Sequence, residues 1–239
     1  MLNFIEYSVP CIFLLDNPIS LSLDNMKVTI ASSSKSLLIK FESDEEVDES
    51  SFEDLVLLEL EKLLDKLAFA YSITFEEPFE ISRRIGNVEK IASQMTAKFS
   101  IANPPLTTEQ SDQLKQNLEY NVRDNTLLRM YRLAIKNNNP MERFFLLYGI
   151  IYLLFRNQEK VDSFIKTTSG YDSSKEKVSG NRERSDKETI YTWLRNQIAH
   201  MNRSTNIKDI RMQIISNLNE FQNIVKEAMK LKNNGLRNF

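Results

Sequence analysis

The chain has 239 residues, of which 41% are hydrophobic and 27% charged, and its 31 basic side chains nearly balance its 33 acidic ones. This length is enough to bury a core and fits one large or two small domains, and the hydrophobic fraction excludes a disordered chain. A net charge of −2 argues against a uniformly basic nucleic-acid coat protein, so any contact with nucleic acid has to be local.

Cysteine content and hydropathy exclude further classes. The single cysteine, Cys11, allows no intramolecular disulfide, and with one histidine in the chain it cannot complete a zinc cluster. The N-terminus lacks the basic flank of a signal peptide. The longest apolar run, residues 144–155, is shorter than the roughly 20 residues that span a bilayer. We therefore expect a soluble cytoplasmic protein that does not contact membranes.

The first hundred residues predict a small mixed domain of strands and one helix. A capping-box pattern at Ser50 and Glu53 precedes apolar residues at helical spacing as far as Leu67, which predicts a helix there. Short runs of β-forming residues, and one run in which apolar and polar residues alternate strictly, predict strands. These strand segments are residues 2–15, 26–31, 36–41 and 95–101.

After Asn103-Pro104-Pro105, which breaks the chain, the pattern is helical throughout. We therefore predict an acidic mixed domain over residues 1–103 and a basic helical bundle over residues 104–239, an α+β fold. Helices are predicted over residues 107–118 and 121–136, from Asn139-Pro140 to about Phe155, from a Ser185/Glu188 capping box to about His200, and over residues 206–232. A long polar loop with Gly170 and Gly180 precedes the fourth helix.

The small net charge hides two oppositely charged portions. Residues 1–80 contain 5 Lys/Arg and 17 Asp/Glu, whereas residues 81–239 contain 26 Lys/Arg and 16 Asp/Glu. One interpretation is that the portions attract each other or are simply solvated. The functional interpretation is that the basic portion faces a polyanion.

His200, the only histidine, lies in a segment that also holds Arg195 and Asn196. Histidine exchanges protons near neutral pH and arginine offers phosphate a fixed fork of donors, so the segment is a candidate phosphodiester site. On an ideal helix Asn196 and His200 share a face, whereas Arg195 and His200 converge only if the helix ends or bends near His200 or a second protomer completes the site. The structural alternative is that Arg195 pairs with Asp186 or Glu188 and His200 caps the helix. From the residues alone, both interpretations remain open.

Residues 188–200, Glu-Thr-Ile-Tyr-Thr-Trp-Leu-Arg-Asn-Gln-Ile-Ala-His, resemble the signature of the HEPN superfamily, the higher eukaryotes and prokaryotes nucleotide-binding domain. In that family four to six residues separate Arg from His, and Asn very often follows the Arg. Arg195-Asn196-x-x-x-His200 has all three elements, and it lies where the family has them, late in a helical bundle, after a polar loop and before a final helix. The resemblance covers about residues 107–235 and does not explain residues 1–100.

The resemblance implies a homodimer whose two Arg195-Asn196-x-x-x-His200 segments line one cleft. Many family members are metal-independent endoribonucleases of toxin or antiphage systems, in which the RNA 2′-hydroxyl attacks the adjacent phosphate and leaves a 2′,3′-cyclic phosphate. We therefore expect such an enzyme, without metal or cofactor. His200 would transfer protons, Arg195 would stabilise the phosphate charge and Asn196 would position them. The alternative is a catalytically silent HEPN-like module that binds a nucleotide or a regulatory partner protein.

Basic side chains near the motif are the expected contacts to RNA. Residues 171–211 carry 9 Lys/Arg against 6 Asp/Glu, a weak electrostatic footprint. Tyr148 and Tyr152 on the preceding helix, and Trp193 in the motif helix, are expected to be core residues. The candidate substrate-binding residues are Lys175, Lys177, Arg182, Arg184 and Arg203. The acidic N-terminal domain is a candidate surface for an antitoxin or other regulatory protein, or a suppressor of the basic cleft.

Overall fold

The computed structural model describes residues 2–12, 15–23, 25–33, 35–91, 108–119, 125–168, 170–178, 187–200 and 206–232. The chain divides into two compact units between Arg132 and Leu133. An antiparallel sheet in the first unit and helices in the second confirm the α+β fold class. The predicted domain boundary at residues 103–104 and the predicted strand at residues 95–101 lie outside the described residues.

The first unit contains an antiparallel sheet of the strands β1 (Asn3–Pro10), β2 (Ile19–Leu23), β3 (Met26–Ser33), β4 (Ser36–Ser43), β5 (Phe79–Ile85) and β6 (Val88–Ile91). Their order across the sheet is β2-β3-β4-β1-β5-β6. Side chains alternate between buried and part-exposed along β4, so one face of this strand packs on the core. The strands predicted within residues 2–15, 26–31 and 36–41 are confirmed as β1, β3 and β4, whereas β2, β5 and β6 were not predicted.

Helix α1 (Glu49–Tyr71) confirms the predicted helix, but it begins with a different cap. Asp48 is the N-cap, and its carboxylate accepts a hydrogen bond from the backbone N–H of Ser51 at 3.0 Å. The predicted Ser50/Glu53 capping box is therefore wrong, because Asp48 supplies the acceptor. Glu53 instead pairs with Arg83 of β5, with 3.0 Å between Oε1 and Nη2.

Helix α2 (Thr108–Glu119) and the part of helix α3 (Thr126–Lys136) that precedes residue 133 belong to the first unit. Lys66 on α1 donates from Nζ to the backbone carbonyl of Leu118 on α2, at 2.5 Å. On α3, Arg132 Nε lies 2.8 Å from Asp65 Oδ1, and the same guanidinium pairs with Glu61. Both helices are thus tied to α1 by basic side chains, of which Lys66 is buried and Arg132 part-buried.

Asp65 makes the stability of the first unit depend on pH. Burial raises the pKa of Asp65 to about 6, although the positive charge of Arg132 opposes this rise. Because the folded pKa lies above the unfolded value, ionisation of Asp65 costs stability, and the cost grows as the pH rises from about 4 to 6. Replacing Asp65 by Asn removes this pH-dependent cost in stability. We expect the free energy of unfolding of the variant, relative to wild type, to rise by on the order of 2 kcal/mol between pH 4 and 7.

Urea unfolding followed by far-UV circular dichroism at a series of pH values measures this difference. Asp54, an exposed residue on the same helix, provides the matched Asp54→Asn control for the loss of one negative charge. A difference between Asp65→Asn and wild type that does not change with pH would contradict the prediction.

The second unit begins with the last residues of α3, from Leu133, which are followed by a helix that is apolar on most sides. Helix α4 begins as predicted, because Asn139 is the N-cap, accepting from the backbone N–H of Met141 at 3.1 Å, and Pro140 is the first helical residue. The other elements are α4 (Pro140–Phe155), α5 (Gln158–Thr167), a 3₁₀ turn (Ser173–Lys175), β7 (Lys177–Val178), β8 (Lys187–Glu188), α6 (Ile190–Ala199) and α7 (Ile207–Lys232). Helix α5 was not predicted. In the described part of the chain, no helix has the length and apolar character needed to cross a membrane.

A cluster of aromatic rings forms the centre of the second unit and joins α4, α6 and α7. Phe221 of α7 is fully buried, and its ring stacks on Tyr191 of α6 with centroids 4.5 Å apart. Its centroid also lies 5.2 Å from that of Phe144 and 6.2 Å from that of Tyr148, both on α4. These contacts fix the buried face of α6, the helix that carries the candidate motif.

Candidate functional site

Helix α6 carries Arg195 and Asn196 on its part-exposed face. Thr189 is its N-cap and its side chain accepts from the backbone N–H of Thr192 at 3.3 Å, so the helix begins at Ile190. The predicted start at a Ser185/Glu188 capping box is wrong, because Glu188 lies in strand β8 before the helix. Ser185 itself lies outside the described residues.

Arg195 and Asn196 form a hydrogen-bonded chain with Glu188. The guanidinium of Arg195 donates from Nη1 to Oδ1 of Asn196 at 2.9 Å. The amide of Asn196 in turn donates from Nδ2 to Oε2 of Glu188, also at 2.9 Å. Among the described residues Arg195 forms no ion pair with a carboxylate, and its predicted pairing with Glu188 is replaced by a contact through Asn196. Asp186, the other predicted partner of Arg195, lies outside the described residues.

His200 lies where the helical conformation stops. Helix α6 ends at Ala199, and His200 is the C-cap with φ −117° and ψ 31°. Its backbone N–H donates to the carbonyl of Asn196 at 3.0 Å, and the residue is exposed. Arg195 and His200 can converge on one ligand only if the helix ends or bends near His200. The structure meets this condition, because α6 ends at Ala199.

Asp162 of α5 supports the beginning of the motif helix. Its Oδ1 accepts from the hydroxyl of Thr189 at 2.6 Å and from the backbone N–H of Thr189 at 3.2 Å. Burial raises the pKa of Asp162, and the hydrogen bond from Thr189 opposes that rise. One turn further along α6, the hydroxyl of Thr192 lies 3.1 Å from that of Tyr148, and burial raises the pKa of Tyr148 to about 12. Tyr148 is thus a buried core residue with a polar partner on the motif helix, which confirms the expectation of core packing.

Two other aromatic expectations are wrong. Tyr152 of α4 is 44% exposed. Trp193 is part-exposed, and the ammonium of Lys177 lies 5.9 Å from the centroid of its ring. The fully buried aromatic side chain of α6 is Tyr191 instead.

The predicted substrate-binding residues are only partly described. Lys175 forms an ion pair with Glu220 of α7 at 2.6 Å, so this ammonium group is engaged within the unit. Lys177 lies in β7 against the ring of Trp193. Arg182, Arg184 and Arg203 lie outside the described residues.

Sequence reasoning missed the contacts of two carboxylates, Glu188 with Asn196 and Asp162 with the N-cap Thr189. Asp162 lies in helix α5, which the sequence does not predict. For Glu188, the sequence predicts a contact with Arg195, whereas the structure has the contact with Asn196. Within the described ranges, no group of three or more His, Cys, Asp or Glu residues is arranged to hold a metal ion.

Comparison with known proteins finds one similarity, and it covers the motif. Residues 127–231, less than half of the chain, match the family model described as Methylamine utilization protein MauJ. The match begins in α3 and ends in α7, so it contains Arg195, Asn196 and His200. The comparisons with curated proteins and with solved structures gave no match.

Proposed function

We propose that the protein is a HEPN-type endoribonuclease that cuts RNA without a metal ion, in the setting of a toxin or antiphage system. The observation that carries the proposal is the end of α6 at Ala199, which releases His200 from the helix while Arg195 is held by Asn196 one turn earlier. Attack of an RNA 2′-hydroxyl on the adjacent phosphate requires a group that moves protons and a group that stabilises negative charge. The exposed His200 and the oriented guanidinium of Arg195 provide these two groups on one short segment.

Each of these side chains has a distinct role in the proposed reaction. The 2′-oxygen of RNA attacks the adjacent phosphorus and loses its proton to a base, while the 5′-oxygen leaves and gains a proton. The imidazole of His200 moves these protons. The guanidinium of Arg195 stabilises the charge that develops on the phosphate oxygens, and Asn196 positions the guanidinium. Since the chain has one histidine, a homodimer that lines one cleft with two motifs supplies a base and an acid together.

The experiment that tests the class of reaction compares two substrates in the presence of EDTA. Purified protein is incubated with a single-stranded RNA and with the same sequence carrying 2′-O-methyl groups, and the product ends are analysed by mass spectrometry. The proposal expects cleavage of the RNA alone, with 2′,3′-cyclic phosphate and 5′-hydroxyl ends. Cleavage of the 2′-O-methyl substrate, or products with 5′-phosphate ends, would contradict attack by the 2′-hydroxyl.

The second candidate is a catalytically silent module that binds a nucleotide or a partner protein. The ion pair between Lys175 and Glu220 favours it, because this lysine is not free for RNA. A rise in the melting temperature with nucleotides, in a protein that cuts no RNA, would favour the second candidate over the first.

A further inference from the structure

The side chain of Asn196 has both of its ends engaged. Its amide group donates to Glu188 at 2.9 Å, and its carbonyl oxygen accepts from Arg195 at 2.9 Å. Since the acceptor-only carboxylate can bind only the NH₂ end, Glu188 fixes which way the amide points. The carbonyl oxygen must then face Arg195.

Glu188 is itself held in place on several sides. It is 7% exposed, and its strand β8 pairs with β7 through Lys177 and Val178. The carbonyl of the preceding residue, Lys187, accepts from Nζ of Lys166 at 2.7 Å, and the same ammonium lies 3.3 Å from Glu176. The carboxylate that orients Asn196 is therefore buried, and its backbone is held by strand pairing and by the contact of Lys166 with Lys187.

The order of the three side chains has a consequence for the charge around Arg195. A carboxylate paired directly with the guanidinium would compete with phosphate for its donors. With Asn196 between them, one N–H group of Arg195 is engaged by a neutral oxygen. No other residue in the described part of the chain engages the remaining donors of the fork, which can contact a phosphate.

We propose that Glu188 is a positioning residue, which sets the orientation of the Arg195 guanidinium through the amide of Asn196. The proposal rests on the proposed function, since it assigns Arg195 to the phosphate. Glu188 contacts no substrate. It acts by preventing the amide of Asn196 from flipping, and so by keeping the guanidinium in one orientation.

Cleavage kinetics with a pair of substitutions test this role. Glu188→Gln keeps an oxygen that accepts from Asn196, and the donor-only guanidinium of Arg195 still favours the carbonyl end of the Asn196 amide, so the orientation is kept. Glu188→Ala removes the acceptor. We expect Glu188→Ala to lower kcat about 10-fold with KM changed less than about 2-fold, and Glu188→Gln to stay within about 2-fold of wild type. Glu227→Ala, at an exposed position of α7, is the control for loss of a glutamate.

A double-mutant cycle separates positioning from a purely structural role. If Glu188 acts through Asn196, then Glu188→Ala combined with Asn196→Ala lowers kcat no further than Asn196→Ala alone. Independent, multiplying losses in the double variant, or loss of kcat in Glu188→Gln as large as in Glu188→Ala, would overturn the proposal. Circular dichroism and melting temperature identify any variant that has lost its fold.

Nuclear magnetic resonance gives a readout that does not depend on cleavage. The side-chain NH₂ signals of Asn196 and the guanidinium signal of Arg195 are recorded with ¹⁵N label in wild type and both Glu188 variants. The proposal expects both signals to shift in Glu188→Ala and to stay near the wild-type positions in Glu188→Gln. Unchanged Arg195 signals in Glu188→Ala would overturn it. If these shifts occur but wild type cuts no RNA, the orientation by Glu188 stands and the proposed function fails.

Discussion

Replacing Arg195 by alanine is expected to lower kcat for RNA cleavage by about 10²–10³-fold, the loss typical when one fixed donor to a developing negative charge is removed. Stability should change little. Arg195 is only part-buried, and among the described residues its side chain has no carboxylate partner that would be left unpaired. Arg195→Lys should restore less than about a tenth of the activity, because an ammonium group cannot form the planar fork that contacts both Asn196 and phosphate.

The measurement is single-turnover cleavage of single-stranded RNA in EDTA, with melting temperatures recorded for every variant. Arg84 provides a matched control, since it is an exposed arginine on β5 that pairs with Glu89 at 2.7 Å. Such an exposed pair contributes about 1 kcal/mol or less to stability, so Arg84→Ala should keep both fold and activity. If Arg195→Ala cleaves RNA at the wild-type rate, the role assigned to Arg195 is wrong.

Replacing Phe221 by alanine is expected to lower the free energy of unfolding of the second unit by about 3–5 kcal/mol. The side chain is fully buried, and it contacts Phe144, Tyr148 and Tyr191. Truncation removes contacts with three rings at once and leaves a cavity between α4, α6 and α7. The motif helix loses the ring stacking that fixes its buried face, so cleavage activity should fall together with stability.

Urea unfolding followed by tryptophan fluorescence measures this effect. Trp193 is the only tryptophan and lies in the second unit, so its emission reports on that unit. Phe145→Ala is the matched control on α4, because its side chain is 38% exposed and its loss should cost less than about 1 kcal/mol. Equal losses of stability in the two variants would show that the aromatic cluster does not form the core of this unit.

The parts of the fold that the sequence predicts are those with a strong local pattern. Strands β1, β3 and β4 have runs of β-forming residues, and α4 has an N-cap and a first-position proline. Helix α5 was missed because only Val161 and Ile165 are buried in it, which leaves too few apolar positions to show a helical period. Strand β5 was missed because its stability comes from pairing with β1, which is distant in sequence.

For the candidate site, the sequence indicates the residue types but not their connections. Arg195, Asn196 and His200 are recognised from their spacing. The contact of Asn196 with Glu188 depends on the short connection between β8 and α6. It also depends on the antiparallel pairing of β8 with β7. The support from Asp162 depends on the packing of α5 beside Thr189. Neither contact follows from helical spacing, because each joins different elements.

The functional account depends most on His200, because the proposed reaction assigns every proton transfer to its imidazole and the chain has one histidine. The most direct test is therefore the rate at which wild type and His200→Ala cut one single-stranded RNA in EDTA, at equal concentrations of folded protein. His200 is exposed, so its replacement should leave the melting temperature unchanged. The account predicts that wild type cuts the RNA and that His200→Ala is slower by about 10²-fold or more. Equal rates for the two proteins, or no cleavage by wild type, would contradict it.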